Sequence, residues 1–341
     1  MSQLDPLSDV LRSVRLRGSV FFHVNCRDQW AAYAPAAKDL APAVMPGAEH
    51  VIEYHLFVKG EGWVAVEGEA PLKVRAGDIV MLAHGDAHVV SSAPGVPPAP
   101  SDDPEWLFKV RNDPKPIPVT YRGGMFEQGL LPDGDASTEL VCGFIACDLN
   151  PFNPLIAALP RMLHLPAEGV GAWVAPMLVH AAAESSGQRA GAEALLQRVS
   201  EMVFVDGARR YLDSLPAETR GWLGALRDRQ VGRAISLMHE KPGSPWTLED
   251  LGHRIGLSRS ALHDRFVAMT GLAPMQYLAN WRMQCGARLL REGRASVASV
   301  ALEVGYDSEA AFSRAFKRAT GMPPAAWRRA QMQPQPAVHQ A

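Results

Sequence analysis

Eleven histidines and four cysteines are the residues of this 341-residue chain whose side chains lend themselves most readily to chemistry. The cysteines are Cys26, Cys142, Cys147 and Cys285, with no C-x-x-C pair among them. They offer neither a disulfide framework nor a structural zinc signature, and they fit a reducing cytoplasm. Cys142 and Cys147 sit in an apolar run, which predicts buried, inert thiols rather than redox sensors. A metal site can be assembled from His55 and His88 with Cys142 or His84, a donor set of imidazole and thiolate that suits zinc or a similar ion. The preferred expectation is plainer: His55 and His88 line a pocket with their hydrogen bonds satisfied, because spacing alone yields no complete three-ligand set. No Ser-His-Asp set, glycine-rich phosphate loop or paired catalytic carboxylates stand out, so the sequence argues against an enzyme and requires no cofactor.

The arginines point elsewhere. Residues 226–330 carry 16 Lys/Arg against 9 Asp/Glu, whereas residues 1–225 carry 18 against 27, so a net charge of -2 hides a basic C-terminal third. Such an asymmetry is the footprint of a chain that meets a polyanion at one end. The N-terminus lacks an apolar signal-peptide core, and the longest apolar run, Trp173 to Ala183, is too short to span a bilayer. These features predict a cytoplasmic protein with no membrane partner.

What must position the arginines is an internal repeat. TLEDLGHRIGLSRSALHDRFVAMTGLAPMQYL, from Thr247, matches SVASVALEVGYDSEAAFSRAFKRATGMPPAAW, from Ser296. The offset is 49 residues up to Gly256 and Gly305 and 50 from Ser258 and Ser308 onward, so the second turn carries one extra residue. Leu262 then pairs with Phe312, Phe266 with Phe316, Pro274 with Pro324 and Tyr277 with Trp327. Each copy reads as a helix-turn-helix. Thr247 and Ser258 are placed to cap the two helices of the first copy, Gly256 to turn between them, and Leu248, Leu251, Ile255, Leu262, Phe266 and Met269 to face inward. In the second copy Val297, Val300, Val304, Phe312 and Phe316 form the apolar face around Gly305.

These two segments and the joining stretch YLANWRMQCGARLL closely resemble the AraC family of transcription regulators over about 100 residues. The resemblance implies two helix-turn-helix units joined by a long helix, here about Pro274 to Glu292, whose second helices enter successive major grooves. It implies base-facing positions at Arg259, Ser260, His263 and Asp264 and at Glu309, Ala310, Ser313 and Arg314. Arginine can donate two hydrogen bonds to guanine and glutamate can accept from a cytosine amino group. Lys317 and Arg318 are expected on phosphates. Asp264 departs from the basic or amide residue usual in the family, so the first unit is expected to give less affinity than the second unless Asp264 reads a cytosine or pairs with an arginine.

The N-terminal zone, about 18–150, reads mostly as strands: EHVIEYHLFVKG, GWVAVEG, GDIVMLAHG, AHVVSS and ELVCGFIACD are Val- and Ile-rich runs punctuated by turns. Eight prolines between Pro94 and Pro118 mark a surface excursion. The stretch from Glu53 to Val90 resembles the cupin-type barrel of many AraC-like regulators, with Gly77-Asp78 and Gly85-x-x-His88 matching the second cupin motif. Metal-binding cupins carry two histidines and a glutamate in the first motif. Here only His55 is clear, with Glu53 two residues before it on the same strand face. A barrel of this size encloses a ligand-sized cavity, for which Tyr54, His55, Phe57, Trp63, His88 and Trp106 are the candidate lining.

From about 151 the periodicity turns helical, at Leu155, Ile156, Leu159, Met162 and Leu163 and again at Leu195, Leu196, Val199 and Val203. The resulting expectation is an α+β chain: a cupin-like antiparallel barrel over 1–150 that senses an effector, a helical linker and dimerisation region over 151–225, an all-α DNA-binding domain over 226–330 and a disordered tail over 331–341. Its function is then sequence-specific control of transcription by a ligand-responsive homodimeric activator. Its partners are promoter DNA, a small-molecule effector and, as the family implies, RNA polymerase. The alternative is a metal-dependent cupin enzyme fused to a DNA-binding module.

Overall fold

The computed structural model describes residues 5–98, 109–110, 112–122, 125–129, 135–168, 173–216, 218–293 and 295–332. The chain forms two compact units. One comprises Leu16–Cys147 and Leu159–Asp213, and the other Met1–Arg15, Asp148–Ala158 and Ser214–Ala341.

The first unit is built on two sheets. The larger contains β1 (Leu16–Cys26), β3 (His50–Lys59), β6 (Ile79–Leu82), β8 (Ile117–Arg122), β9 (Met125–Gln128), β10 (Thr138–Cys147) and β11 (Met162–Leu165), in the order β11-β6-β3-β10-β1-β8-β9. The smaller contains β2 (Ala31–Ala34), β4 (Glu61–Val66), β5 (Leu72–Arg75) and β7 (His88–Ser91), in the order β2-β7-β4-β5. Alternation along the strands sorts side chains between two layers. Val51, Phe57, Val80, Leu82, Cys142, Phe144 and Ala146 from the larger sheet join Val64, Val66, Val74 and Val90 from the smaller in one buried cluster. On the other face of the larger sheet lies the helix Ala192–Ser214, whose Ser200 accepts or donates a 2.9 Å hydrogen bond with the Tyr54 hydroxyl.

Three features differ from the expected antiparallel barrel and helical linker. Strand β8 runs parallel to β1, with Phe22 beside Ile117, while every other pairing among the described residues is antiparallel. β8 begins some 90 residues beyond the end of β1, long enough for the crossover that parallel strands require. Secondly, the run Leu155–Leu163 is not one helix. Only Pro154–Ala158 is helical, and Met162–Leu165 pairs with β6 as an edge strand beyond the helix-breaking Pro160. Thirdly, Leu195 is exposed while Leu196, Val199 and Val203 are buried, so the apolar face of Ala192–Ser214 is narrower than the periodicity suggested.

The second unit is helical and recruits chain from both sides of the sheets. Helix α1 (Pro6–Ser13) is capped by Asp5 and buries Leu7 and Val10. Buried Gln284 donates from Nε2 to the carbonyl of Ser13 at 3.1 Å and accepts from the amide of Phe152 at 3.1 Å. Arg291 donates to the same Ser13 carbonyl at 2.7 Å and pairs with Asp148. Residues 5–15 and 148–158, read from sequence as parts of the barrel and linker, therefore pack with the C-terminal helices. The positions of Trp106 and of tail residues 333–341 lie outside the described residues.

Candidate nucleic-acid interface and a buried histidine cluster

Two helix-turn-helix units stand where the repeat predicted them. In chain order, after α1, the helices are α2 (Ala37–Val44), α3 (Pro154–Ala158), α4 (Val174–Ser186), α5 (Ala192–Ser214), α6 (Trp222–Arg227), α7 (Arg229–Glu240), α8 (Leu248–Ile255), α9 (Arg259–Thr270), α10 (Pro274–Glu292), α11 (Val297–Glu303), α12 (Glu309–Thr320) and α13 (Pro324–Met332). Side chains at the starts of the repeat helices do the capping: Thr247 accepts from the amide of Asp250, Ser258 from Ala261, Ser296 from Ser299 and Ser308 from Ala311, at 3.0–3.2 Å. Between the paired helices Gly256 and Gly305 adopt φ of +74° and +85°, which a side chain at Cβ would strain. Leu251, Leu262 and Phe266 are fully buried in the first unit, as are Val300, Phe312 and Phe316 in the second. Helix α10 begins at Pro274 and joins the two.

The outward faces of α9 and α12 carry the candidate DNA contacts. Arg259, Ser260, His263, Asp264, Glu309, Ala310, Arg314, Lys317 and Arg318 are exposed and Ser313 is half-buried. Arg259 lies 3.8 Å from Glu249, a contact between two exposed side chains that DNA can replace at little cost. The partner of Asp264 is the adjacent His263, at 3.3 Å, rather than an arginine. The arginine beside it, Arg265, is committed elsewhere: its guanidinium donates to Asp228 over 2.6–3.2 Å.

Asp228 also accepts from the amides of Gln230 and Val231, capping α7, and so ties α9 to the helix beneath it. Burial alone would raise the Asp228 carboxyl pKa, but the Arg265 and amide hydrogen bonds outweigh it and hold the pKa below the usual carboxylate value. A carboxylate with a depressed folded pKa contributes stability above its unfolded value and loses it as pH falls through the folded one. Asp228→Ala is therefore expected to cost about 0.5–2 kcal/mol near neutral pH, a deficit that shrinks when both proteins are unfolded with urea at about pH 3.

In the sheet unit, β3 places Glu53, His55 and Phe57 on one face, toward the smaller sheet, and Tyr54 on the other. His88 enters from β7. His55 Nε2 lies 2.7 Å from His88 Nε2 and 3.7 Å from Glu53 Oε1, and His55 Nδ1 lies 3.0 Å from Cys142 Sγ. The proton positions follow from one fixed point. His88 Nδ1 is 2.9 Å from the Asp86 carbonyl, which only accepts, so Nδ1 carries the proton and Nε2 of this neutral ring accepts. His55 Nε2 must then donate to His88, leaving His55 Nδ1 to accept from the Cys142 thiol. Burial and then the neighbouring His88 push the His55 pKa well down, and burial takes that of His88 to about 4. Burial takes the Glu53 carboxyl up to about 8.

A family model described as cupin matches residues 5–213, and one described as a helix-turn-helix domain matches residues 251–330. A putative AraC-like transcription regulator of Streptomyces lividans is 30% identical over 96% of this chain and 98% of its own length. The chain belongs to the AraC-like transcription regulators. Another relative, the HTH-type transcriptional regulator AlkR of Acinetobacter baylyi, is 25% identical over 92% of this chain and 96% of its own. Among solved structures, the DNA-binding domain of AdpA in complex with a target DNA is 33% identical, covering 30% of this chain and 92% of that one with a TM-score of 0.29.

For this AraC-like regulator the structure redraws two sets of candidate residues. His55, Phe57 and His88 share the interior between the sheets. Tyr54 is turned away toward α5, and Trp63, alternating with buried Val64, is half-buried outside the shared core, so the strand period removes both from the pocket lining. The histidine cluster likewise exchanges members. Glu53 replaces Cys142 among the groups whose ligand atoms lie within 4.8 Å of one another, because Cys142 bonds the far nitrogen of His55. His84 is drawn off by a 2.9 Å hydrogen bond to the Leu159 carbonyl. The Glu-x-His spacing on β3 was the signal for Glu53. Nothing local announced the Asp228–Arg265 tie or Gln284, whose partners are distant in sequence.

Proposed function

We propose that this AraC-like regulator is a one-component switch that binds promoter DNA through α9 and α12 and activates neighbouring genes when a small molecule occupies the space between its sheets. It works with RNA polymerase, as a homodimer, in the cytoplasm, and this reading assigns it no reaction. The observation that carries it is the pairing of two capped second helices, each opening with exposed arginine or glutamate on the face away from its buried phenylalanines. Arg259 and Arg314 read bases, with Ser260, His263, Asp264, Glu309, Ala310 and Ser313 beside them, while Lys317 and Arg318 hold phosphates. The exposed apolar side chains of Trp173, Met177 and Leu195 on and beside α4 and α5 support the dimer, since a second copy would cover them. No helix among the described residues is long and apolar enough to cross a membrane.

The test recovers fragments from sheared genomic DNA of the source and titrates the most enriched by anisotropy at several salt concentrations. Arg259→Ala and Arg314→Ala are each expected to weaken that site by about 1–3 kcal/mol and to relax sequence preference. Lys317→Ala should weaken all sequences alike and lower the salt slope by about 1. Equal affinity of both arginine variants and the parent for every fragment would remove the base-reading assignment.

A further inference from the structure

A cavity of about 600 Å³ lies within the C-terminal helical unit, bounded by α1, the end of α7, the segment 241–244, α10 and α11. Two residues of its wall, Trp281 and His239, are more than nine-tenths buried, yet Trp281 Nε1 and His239 Nδ1 have no hydrogen-bond partner among the described residues. Both nitrogens are donors. An indole nitrogen can only donate. For His239, Tyr277 decides. The Tyr277 hydroxyl receives Trp222 Nε1–H at 2.8 Å, and its own hydrogen goes to His239 Nε2 at 2.9 Å. The neutral His239 ring therefore carries its proton on Nδ1. Asp9 Oδ2 of α1 faces that proton from 3.6 Å, beyond hydrogen-bond distance, and Asp9 is engaged by Arg12 at 2.9 Å. Two buried donors without acceptors cost free energy that an incoming acceptor would recover.

The rest of the wall says what should carry that acceptor. Arg288 and Lys241 add exposed cationic groups, while Leu289, Leu302 and Val304 are apolar. The volume is far more than a bare anion needs and falls in the size range of small-molecule sites. We propose that this cavity binds a small monocarboxylate with an apolar body, its carboxylate on Trp281, His239 and Arg288 and its body against Leu289 and Leu302. It is a second ligand site, on the DNA-binding unit itself, and it rests on the cavity rather than on an effector between the sheets. Of the carboxylates that border it, Glu240 and Glu303 are exposed to water. Asp9 is the one a ligand must move, because the incoming carboxylate takes its place beside His239. The guanidinium that holds Asp9 is itself exposed, so the pair is weakly held, and once released Arg12 can face the ligand. The location gives the site leverage. Arg282 of α10 donates to the carbonyls of Pro242 and Ser244, both at 2.8 Å, and Gly243 leaves no room for a Cβ beside the Glu303 carbonyl. The segment that leads into the first helix-turn-helix unit is thus fixed to the second, and a ligand against both bears on the spacing of α9 and α12. This consequence, unlike the site, rests on the DNA-binding reading.

The test titrates the full chain by calorimetry with hydrocinnamate, beside acetate as the bare anion and hydrocinnamyl alcohol as the neutral counterpart. One equivalent of hydrocinnamate is expected to bind, with acetate and the alcohol each weaker by about tenfold or more. Arg288→Ala and Trp281→Phe should each weaken the acid by about tenfold or more. Asp9→Asn, which removes a like charge beside His239, should tighten it. Arg288 is exposed, so its variant keeps the fold and still decides should Trp281→Phe not fold. Absence of saturable uptake by the wild type overturns the proposal, as does uptake unaltered by Arg288→Ala and Trp281→Phe, which would place the acid elsewhere on the chain. Equal affinity for acid and alcohol overturns the carboxylate assignment, and weaker binding by Asp9→Asn overturns the displacement of Asp9. Anisotropy titration of the enriched DNA fragment with and without saturating acid then reads the coupling. A change in DNA affinity of about fivefold or more is expected, and no change overturns the coupling while leaving the site. Failure to bind DNA without the acid counts against the DNA-binding reading alone.

Discussion

Phe312→Ala is expected to destabilise the C-terminal helical unit by about 3–5 kcal/mol and, at temperatures the wild type tolerates, to abolish specific DNA binding. The ring is fully buried, 5.7 Å from Tyr306 in an edge-to-face contact and 5.4 Å from Phe316. It also fills the space over Gly286 of α10, where an added Cβ would sit 3.0 Å from the ring. Truncation removes the group that holds α11, α12 and α10 together. The backbone cannot close the gap, because Ser296 and Ser308 fix both helix starts. Phe312→Leu, which matches the Leu262 of the first unit, keeps most of the volume and should cost less than about 1.5 kcal/mol. Urea midpoints of the two variants test the pair. A loss under about 1 kcal/mol for alanine would mean that the second unit lacks the close packing assigned to it.

The contrast between units in what the sequence disclosed has a physical origin. In the helix-turn-helix pair every determinant is local: a serine or threonine caps the helix it begins, a glycine turns it, and apolar residues at helical spacing face the neighbour one turn away. Thr247, Gly256, Ser258 and Phe266 therefore could be placed before any coordinates. The strands β3, β4, β6, β7 and β10 were equally legible, since alternation and bounding glycines are local too. Which strand lies beside which is not. Pairing β8 in parallel with β1 joins strands some 90 residues apart in the chain, and β11 depends on an open edge at β6. The side chains of the candidate pocket failed for the same reason. Tyr54 and His55 are adjacent in sequence, and only the position of a second sheet on one face and α5 on the other tells them apart. Helix α1 is the extreme case. Its Leu7 and Val10 are buried, and the carbonyl of its last residue, Ser13, accepts from Gln284, 271 residues further along the chain.

Gly18→Val should strongly destabilise the sheet unit. Strand β1 passes so close to α5 that a Cβ at Gly18 would stand 2.5 Å from Cβ of Ser200, 2.7 Å from the carbonyl oxygen of Gln197 and 2.9 Å from the amide of Glu201. Two of these are backbone atoms of one helix, so no rotamer relieves them and α5 itself must move. That helix is tethered, with the Ser200 hydroxyl bonded to the Leu196 carbonyl and to Tyr54, both at 2.9 Å. Overpacking a close contact typically costs about 1–3 kcal/mol, and valine against a tethered backbone belongs at or above the upper end. The double variant Gly18→Ala with Ser200→Gly separates the contributions. Removing the serine Cβ relieves the 2.5 Å contact but leaves that to Gln197, so the rescue should be partial and the coupling of the two changes favourable. Full additivity in thermal unfolding would place α5 farther from β1 than this account requires. A complete rescue would show that the helix backbone yields, and that Ser200 alone sets the distance between helix and sheet.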